Sequence, residues 1–343
     1  MIIGEEDSLP GHLLHQVSGA FRAGYDRLVV ANDGTNQILI YDLAGSLVAE
    51  VGGTGAGPGE FLSASAVFPL GSDSLVVWDP ATVRMSIWST TGEFGRTVPL
   101  DVGFAPQLEG YLGGTKYVFS LPHRIRSSTR VPWDVYSDSL ELVILDLGRL
   151  GQHSLGVFPH RKMVAADAGD FGGGRMAVPL PDGAVTVVTA AKDQVFVGLP
   201  DVGRIIVFDS TGRAIREIKV PLKSYARGSD AVERSIILAL DRVERKRRPA
   251  IRRYLERFPQ PERYPIFDQM RVDSAGSVWV REFSASPDKL ARWAVVDQEG
   301  TLMREVLLPG TIHTWQIGSD WALAHLRGEY DQEMVALFGF SAE

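Results

Sequence analysis

Short apolar runs alternate with polar turns along almost the whole chain, and the runs occur in pairs. The first run of each pair begins at residue 27, 74, 115, 193, 277 or 320, and the second at residue 37, 84, 141, 204, 292 or 333. A further short run precedes each pair, as at Ser65–Leu70. Runs of this length and composition, bounded by turn residues, predict β-strands rather than helices.

A second repeated signal follows several pairs, where an Asp-x-x-Gly sequence joins the second run to another strand-like segment. It occurs at Asp42–Gly45, Asp209–Gly212 and Asp297–Gly300, with Ser89–Gly92 as a weaker copy. The aspartate side chain accepts backbone N–H groups at the start of a type I turn, and glycine supplies the positive φ that follows. Each pair of runs is therefore expected to continue through a hairpin into one more strand.

Three strands and a hairpin into a fourth, repeated six times, predict an all-β fold. Four-stranded blades of about 40–45 residues are the repeating unit of a β-propeller. We therefore predict one domain over residues 1–343, a six-bladed β-propeller of four-stranded blades. After the run that begins at Glu333 no room remains for a fourth strand, so residues 2–16 are expected to close the last blade as its outer strand.

The segments that carry the clearest repeats also resemble a known group of proteins. Residues 28–42 follow the pattern of an NHL repeat, and Arg84 lies where that family often has arginine. Gly52–Phe61 and Val272–Arg281 are similar to an inter-blade loop and to the fifth blade of bacterial NHL-like six-bladed propeller proteins. The resemblance implies the propeller fold and export to the periplasm, the outer surface or the medium, with the leader absent from this chain. A cytoplasmic location is the alternative, and most members of the group have no assigned activity.

Composition and motifs argue against several classes of function. The formal net charge of -7 disfavours a nucleic-acid partner, and the absence of cysteine excludes disulfides, thiolate nucleophiles and cysteine-ligated metals. No apolar run reaches the roughly 20 residues of a membrane span. The glycine-rich segment Gly52–Gly59 lacks the Gly-Lys-Ser/Thr ending of a phosphate loop, and the sequence contains no zinc-protease or hydrolase motif. We therefore expect no cofactor.

The longest predicted connections all join the strands on the same face of the ring, which we call the top face. They are Gly52–Phe61, Leu121–Ser139, Phe158–Arg175 and Leu222–Phe267. Long loops on a rigid scaffold are a common place for binding residues. The aromatic and charged residues in these connections form the predicted recognition surface: His123, Arg124, Arg126, Trp133, Arg161 and Tyr264.

The connection between the fourth and fifth blades differs in composition from the rest of the chain. Residues 223–263 contain 12 lysine and arginine residues against 6 acidic ones, a local charge of +6. Apolar residues at helical spacing, and Pro249 at the start of a second segment, predict a helical insertion. The basic run Arg245, Lys246, Arg247 and Arg248 is a candidate surface for an acidic partner. A basic face exposed to solvent on a docked helical pair is the alternative.

Two functions remain open at this stage. The first is a non-enzymatic binding or assembly module that takes a protein or small ligand on the top face. The second is a metal-dependent hydrolase or lyase, lactonase-like or amidating-lyase-like, with its ion at the channel mouth. The predicted starts of the innermost strands offer Ser18, Ser63, Gln107, Asp268 and His313, of which Asp268 and His313 are the candidate metal ligands.

Overall fold

The computed structural model places six antiparallel sheets in a ring. It describes residues 1–4, 13–24, 26–102, 106–123, 135–167, 175–180, 182–228, 262–285, 290–328 and 331–340, together with 233, 236–237, 240, 245–246 and 248–256. The first strand of each sheet lies innermost and contacts the first strands of the two neighbouring sheets, so that the ring closes around a central channel. Each sheet is one blade of the propeller.

The first twelve strands in chain order are β1, the eight strands of blades one and two, and the first three strands of blade three. Strand β1 spans Ile2–Ile3 and belongs to the last blade. Blade one consists of β2 (Val17–Ala23), β3 (Arg27–Asn32), β4 (Gln37–Asp42) and β5 (Leu47–Gly52). Blade two consists of β6 (Ala66–Leu70), β7 (Ser74–Asp79), β8 (Arg84–Ser89) and β9 (Phe94–Pro99). Blade three begins with β10 (Gln107–Gly113), β11 (Lys116–His123) and β12 (Tyr136–Asp146).

The remaining strands complete blade three and form the other three blades. Blade three ends with β13 (Gly151–Asp167) and β14 (Arg175–Pro179). Blade four consists of β15 (Val187–Ala191), β16 (Gln194–Leu199), β17 (Arg204–Asp209) and β18 (Ala214–Lys219). Blade five consists of β19 (Phe267–Val272), β20 (Val278–Glu282), β21 (Leu290–Val296) and β22 (Leu302–Pro309). Blade six consists of β23 (His313–Ile317), β24 (Trp321–Arg327), β25 (Glu333–Gly339) and β1.

The N-terminus closes the last blade, as the sequence predicts. Strand β1 pairs antiparallel with β25, with Ile2 opposite Ala336 and Ile3 opposite Val335. The closing strand covers Ile2–Ile3, whereas the prediction placed it over residues 2–16, of which residues 5–12 lie outside the described part of the chain. Val17 N donates a further bond of 2.7 Å to Glu333 Oε2, which ties the start of blade one to β25, the strand with which β1 pairs.

The Asp-x-x-Gly sequences form the expected hairpin turns. Asp42 Oδ1 accepts hydrogen bonds of 2.9 Å from the backbone N–H groups of Ala44 and Ser46, and Gly45 has a φ of +91°. In the Ser89–Gly92 turn, Ser89 Oγ takes the place of the aspartate oxygen and accepts a hydrogen bond of 2.9 Å from the backbone N–H of Glu93. The side chain that opens the turn thus replaces the missing backbone partners, and glycine allows the chain to reverse.

Apolar side chains pack between adjacent blades rather than in one central core. Among the described residues they form six clusters, one at each junction between neighbouring blades. Trp78 of blade two meets Phe119 of blade three edge to face, with ring centroids 5.1 Å apart. Because these contacts join blades, the channel at the centre is left free to be lined by other side chains.

Blade three departs from the predicted four strands, because its sheet contains five. Residues 158–175 were expected to form a loop, and this expectation is wrong over most of the segment. Strand β13 runs through it as far as Asp167 and pairs with both β12 and β14. Its middle part reaches the start of blade four, where Arg161 forms a bridge with Val185.

The insertion between blades four and five is only partly described. The structure shows one eight-residue helix there, α1 (Arg248–Leu255), with Pro249 in its first turn. Ile236 and Leu240 are buried, and Arg252 forms ion pairs with Glu233 and Glu256. The predicted pair of helices over residues 223–263 is not established, because much of this segment lies outside the described residues.

Candidate functional site

A cavity of about 900 Å³ occupies the centre of the ring. The innermost strand of every blade lines it, together with residues 160–161 of β13. Apolar side chains such as Phe21, Val67 and Leu112 form part of its wall, and charged side chains from several blades project into the same space. Ligand pockets in proteins commonly have volumes of about 300–1,000 Å³ and combine apolar walls with a few converging polar groups.

Two charged residues of blade five form an ion pair at the wall of the cavity. Arg281 Nε donates to Asp268 Oδ1 at 2.7 Å and Arg281 Nη2 donates to Asp268 Oδ2 at 2.8 Å. With its amide oriented to satisfy both partners, Gln269 Oε1 accepts from the same guanidinium at 2.8 and 2.9 Å. Both carboxylate oxygens of Asp268 are therefore already bonded within the protein, which makes Asp268 a weak candidate for a metal ligand.

A second arginine and a glutamate lie inside the channel without forming an ion pair. Arg271 Nη1 donates 2.7 Å to the backbone oxygen of its neighbour Met270, and Glu109 Oε1 accepts 2.6 Å from Ser120 Oγ. Burial lowers the pKa of Arg271 to about 10, partly offset by the charge of Glu109. Burial also raises the pKa of Glu109, while the Ser120 hydroxyl and the charge of Arg271 act in the opposite direction. Both groups are thus held away from bulk water, which disfavours their charged forms.

A histidine of blade six completes the polar lining at the top of the channel. His313 begins β23 and faces the cavity. Its imidazole is exposed to the channel space but surrounded by protein, and burial lowers its pKa to about 4, with help from the charges of Arg271, Arg281 and His325. Trp315 lies between the two histidines, with ring centroids 6.2 Å from His313 and 5.6 Å from His325. At neutral pH His313 is therefore an uncharged imidazole.

Four of the five residues predicted at the starts of the innermost strands line the cavity. Ser18, Gln107, Asp268 and His313 all line the cavity. Ser63 does not, because it lies before β6 and its Oγ donates 3.1 Å to Asp33 Oδ1 outside the channel.

The six residues of the predicted recognition surface do not come together in the described part of the structure. Arg161 lines the cavity, and its Nε donates 3.1 Å to His160 Nε2. Arg124, Arg126 and Trp133 lie outside the described residues. His123 is the last residue of β11, opposite Ser139, and its side chain also lies outside the description.

Tyr264, the sixth predicted residue, belongs to the base of the insertion rather than to the cavity. Its ring stacks on Phe283 with centroids 5.3 Å apart, and the Arg227 guanidinium lies 5.3 Å from its centroid. The Arg227 side chain is only 2% exposed and forms an ion pair of 2.9 Å with Asp182. These contacts anchor the insertion to the ring, and ligand binding by Tyr264 stays a prediction.

The basic run of the insertion lies at the surface where it is described. Arg245 and Lys246 are exposed, Arg248 is half-buried as the first residue of α1, and Arg247 lies outside the described residues. Binding of an acidic partner by these four residues stays a prediction.

The described residues contain no group of three histidine, aspartate or glutamate side chains arranged to hold a metal ion. Within the same part of the chain, no helix is long and apolar enough to cross a membrane. The metal-dependent alternative therefore lacks a donor set among the described residues.

Comparison with known proteins supports the fold. A family model named DUF5128 and described as a six-bladed beta-propeller matches residues 13–143. A search of curated proteins found no match. The chain is a six-bladed β-propeller. The resemblance to NHL-like proteins in particular stays a prediction, because the matching model is a different one.

Solved structures of the same fold include proteins from Bacteroides. One is a candidate exported protein of Bacteroides fragilis, 12% identical, with 100% of this chain and 94% of the other covered and a TM-score of 0.54. Another is a member of the DUF4221 family from Bacteroides vulgatus, also 12% identical, with 95% and 96% covered and a TM-score of 0.52. At this level of identity the similarity shows the fold alone.

Sequence reasoning missed Glu109, Arg271 and Arg281, which dominate the electrostatics of the channel. One signal was present, since each is a charged residue inside a predicted strand of a blade. Without the register of the strands, that signal does not tell which charged residues face the channel and which face solvent.

Proposed function

We propose that this protein is a binding module that takes a small-molecule ligand in its central channel. The observation that carries the proposal is the convergence of Glu109, Arg271 and His313, from three different blades, on one cavity of about 900 Å³. Strongly shifted pKa values of grouped side chains in a cavity are typical of functional sites. A channel with a purely structural role gains nothing from such groups, because each is unfavourable to bury.

Two features favour binding over catalysis. Ser120, the hydroxyl nearest the Glu109 carboxylate, is almost fully buried on the second strand of its blade, so it positions the carboxylate and does not face the cavity. Asp268, a candidate metal ligand, is already paired with Arg281 through both oxygens. At Glu109 and Asp268 the geometry thus supplies charge and shape for recognition rather than a nucleophile beside a base.

The location of the protein is part of the same proposal. We propose export across the inner membrane, in line with the candidate exported protein of Bacteroides fragilis that shares the fold. Fractionation of source cells, followed by immunodetection, tests this part, and recovery from the cytoplasm alone would contradict it.

The central proposal is tested by blocking the channel. A mixture of small molecules is screened against the protein by ligand-observed NMR, and the hits are repeated with Gln107→Trp. Gln107 is an exposed residue at the start of β10 that lines the cavity, so an indole there narrows the channel without disturbing the apolar clusters. The matched control is Ile215→Trp, which adds the same ring on the exposed face of β18.

Loss of binding in Gln107→Trp, with binding intact in Ile215→Trp, is the expected result. Hits that bind both variants equally would place the site elsewhere. The absence of any ligand in a chemically broad screen of the folded protein would defeat the proposal itself.

A further inference from the structure

Arg271 is a feature of the channel that the fold itself does not explain. The guanidinium has five N–H donors, and it forms one side-chain hydrogen bond, to the backbone oxygen of Met270. In the part of the chain that the structure describes, no carboxylate forms an ion pair with it. The neighbouring Arg281, by contrast, is fully engaged with Asp268 and Gln269. The remaining donors of Arg271 are therefore available to a molecule in the cavity.

The nearest acidic group does not neutralise this arginine completely. Glu109 interacts with Arg271 through charge, but it is held by Ser120 and makes no hydrogen bond to the guanidinium. Burial also disfavours the ionised form of Glu109. The other carboxylates of the lining nearest to Arg271 are engaged as well: Asp268 with Arg281, and Asp273 with the indole N–H of Trp279 at 2.9 Å.

We infer that Arg271 anchors an anion site in the channel, and that the ligand is a small organic molecule with a single carboxylate. A planar guanidinium binds a carboxylate through two parallel N–H···O bonds, and these charge-assisted bonds are strong where water is excluded. A single negative charge balances the one positive charge of the Arg271 guanidinium. A phosphate dianion fits less well, because it brings a second negative charge that this guanidinium does not balance.

A second guanidinium lies at the top of the same cavity. Arg161 forms no ion pair with a described carboxylate, and its Nε donates to His160. A cation at the mouth of a narrow cavity attracts anions and raises their rate of entry. Arg161, one of the residues predicted from sequence, thus assists the approach of the carboxylate, while Arg271 holds it.

This inference rests on the proposed function, and its test uses a matched pair of probes. Benzoate and benzamide have the same size and shape but differ in charge, and their affinities are measured by titration calorimetry. We expect benzoate to bind and benzamide to bind at least about tenfold more weakly. Arg271→Gln should weaken benzoate binding by about tenfold or more, whereas Arg204→Gln, which removes an exposed arginine from an ion pair on β17, should leave it unchanged.

A substitution at Glu109 should change benzoate affinity in the direction opposite to Arg271→Gln, and it therefore controls for damage to the channel. Glu109→Gln removes the competing negative charge but keeps the hydrogen-bonding shape, so benzoate should bind more tightly than to the wild type. Lower affinity in both Arg271→Gln and Glu109→Gln would indicate a structural role for the pair and overturn the inference.

Other outcomes separate this inference from the proposed function. Equal affinity for benzoate and benzamide, or binding of benzoate unaffected by Arg271→Gln, would overturn the anion site while leaving a channel ligand of another kind. Inorganic phosphate binding more tightly than benzoate would overturn the assignment to a carboxylate. If neither these probes nor any compound of the broad screen enters the channel, the proposed function fails and the anion site fails with it.

Discussion

Ile3 is the residue through which the short closing strand should contribute most to stability. Its side chain is 0% exposed and packs into the cluster between blades six and one, against residues such as Leu28, Tyr41 and Val335. Ile2, on the same two-residue strand, points the other way and is 48% exposed. Alternate residues of a strand face opposite sides, so the two isoleucines form a natural matched pair.

Replacing Ile3 with alanine removes three carbon atoms from a fully buried position. At about 0.8 kcal/mol for each buried methylene, the lost transfer energy is about 2.4 kcal/mol, and the remaining cavity adds to it. We therefore expect Ile3→Ala to lower the free energy of unfolding by about 3 kcal/mol. Ile2→Ala should lower it by no more than about 0.5 kcal/mol, because the side chain is half in solvent.

Equilibrium unfolding in urea, followed by circular dichroism, measures both changes. The reasoning requires a shift of the midpoint for Ile3→Ala at an unchanged slope, since the slope reports the surface exposed on unfolding. Equal effects of the two substitutions would show that the closing strand acts through its backbone bonds alone. A loss of less than about 1 kcal/mol for Ile3→Ala would refute the view that apolar packing holds the ring closed.

Three further predictions concern the inner strands. Asp273→Ala should lower the free energy of unfolding by about 1–3 kcal/mol, because the buried indole N–H of Trp279 then loses its acceptor. Thermal melts measure this change, and an unchanged Tm would contradict the prediction. The wild type should lose stability as pH falls from 6.5 to about 4, because the histidine is protonated in the unfolded chain but stays neutral in the folded one. The full lowering of the His313 pKa corresponds to about 3 kcal/mol of unfolding free energy. Because the imidazole is exposed to the channel, we expect a loss of about 1 kcal/mol. His313→Gln should remove that part of the pH dependence, and an identical pH profile would count against it. Arg271→Met should leave the free energy of unfolding within about 1 kcal/mol of the wild type, whereas a loss above 2 kcal/mol in urea titration would make this arginine structural.

The repeats could be read from the sequence because the interactions that form them are local. The turn that Asp42 opens is complete within five residues, and the same chemistry recurs at Asp209 and Asp297. The twelve paired apolar runs all correspond to strands, since each run needs only its neighbours in the chain to form a hairpin. Local interactions of this kind leave the same pattern wherever the unit is repeated.

Blade three could not be predicted in the same way. Its fourth strand, β13, spans 17 residues and bends toward the channel, where His160 and Arg161 reach the cavity. The segment includes Pro159 and several polar residues, which resemble those of a loop. Its strand structure depends on pairing with β12 on one side and β14 on the other, and neither partner can be identified from the pattern of residues 158–175 alone.

The candidate site was the least predictable part, because its residues meet only when the ring closes. Glu109 and Arg271 are 162 positions apart, on blades three and five. Each appears in the sequence as a charged residue within a strand, and no spacing rule links them. The predicted recognition surface relied on loop length instead, and of its six residues only Arg161 lies at the cavity in the described part of the chain.

The contrast between Arg281 and Arg271 is the main argument for the proposed carboxylate ligand. Both arginines lie in blade five, and a fold that needed only a filled channel would satisfy both. Arg281 is satisfied by Asp268 and Gln269, whereas Arg271 lies in the channel wall without an ion pair to any described carboxylate and with its pKa lowered to about 10. Burying an unpaired charge is unfavourable for folding, so the fold by itself gives no reason to keep it. The proposed ligand would supply the missing carboxylate and offset that penalty when bound, so that Arg271 would be the source of its affinity.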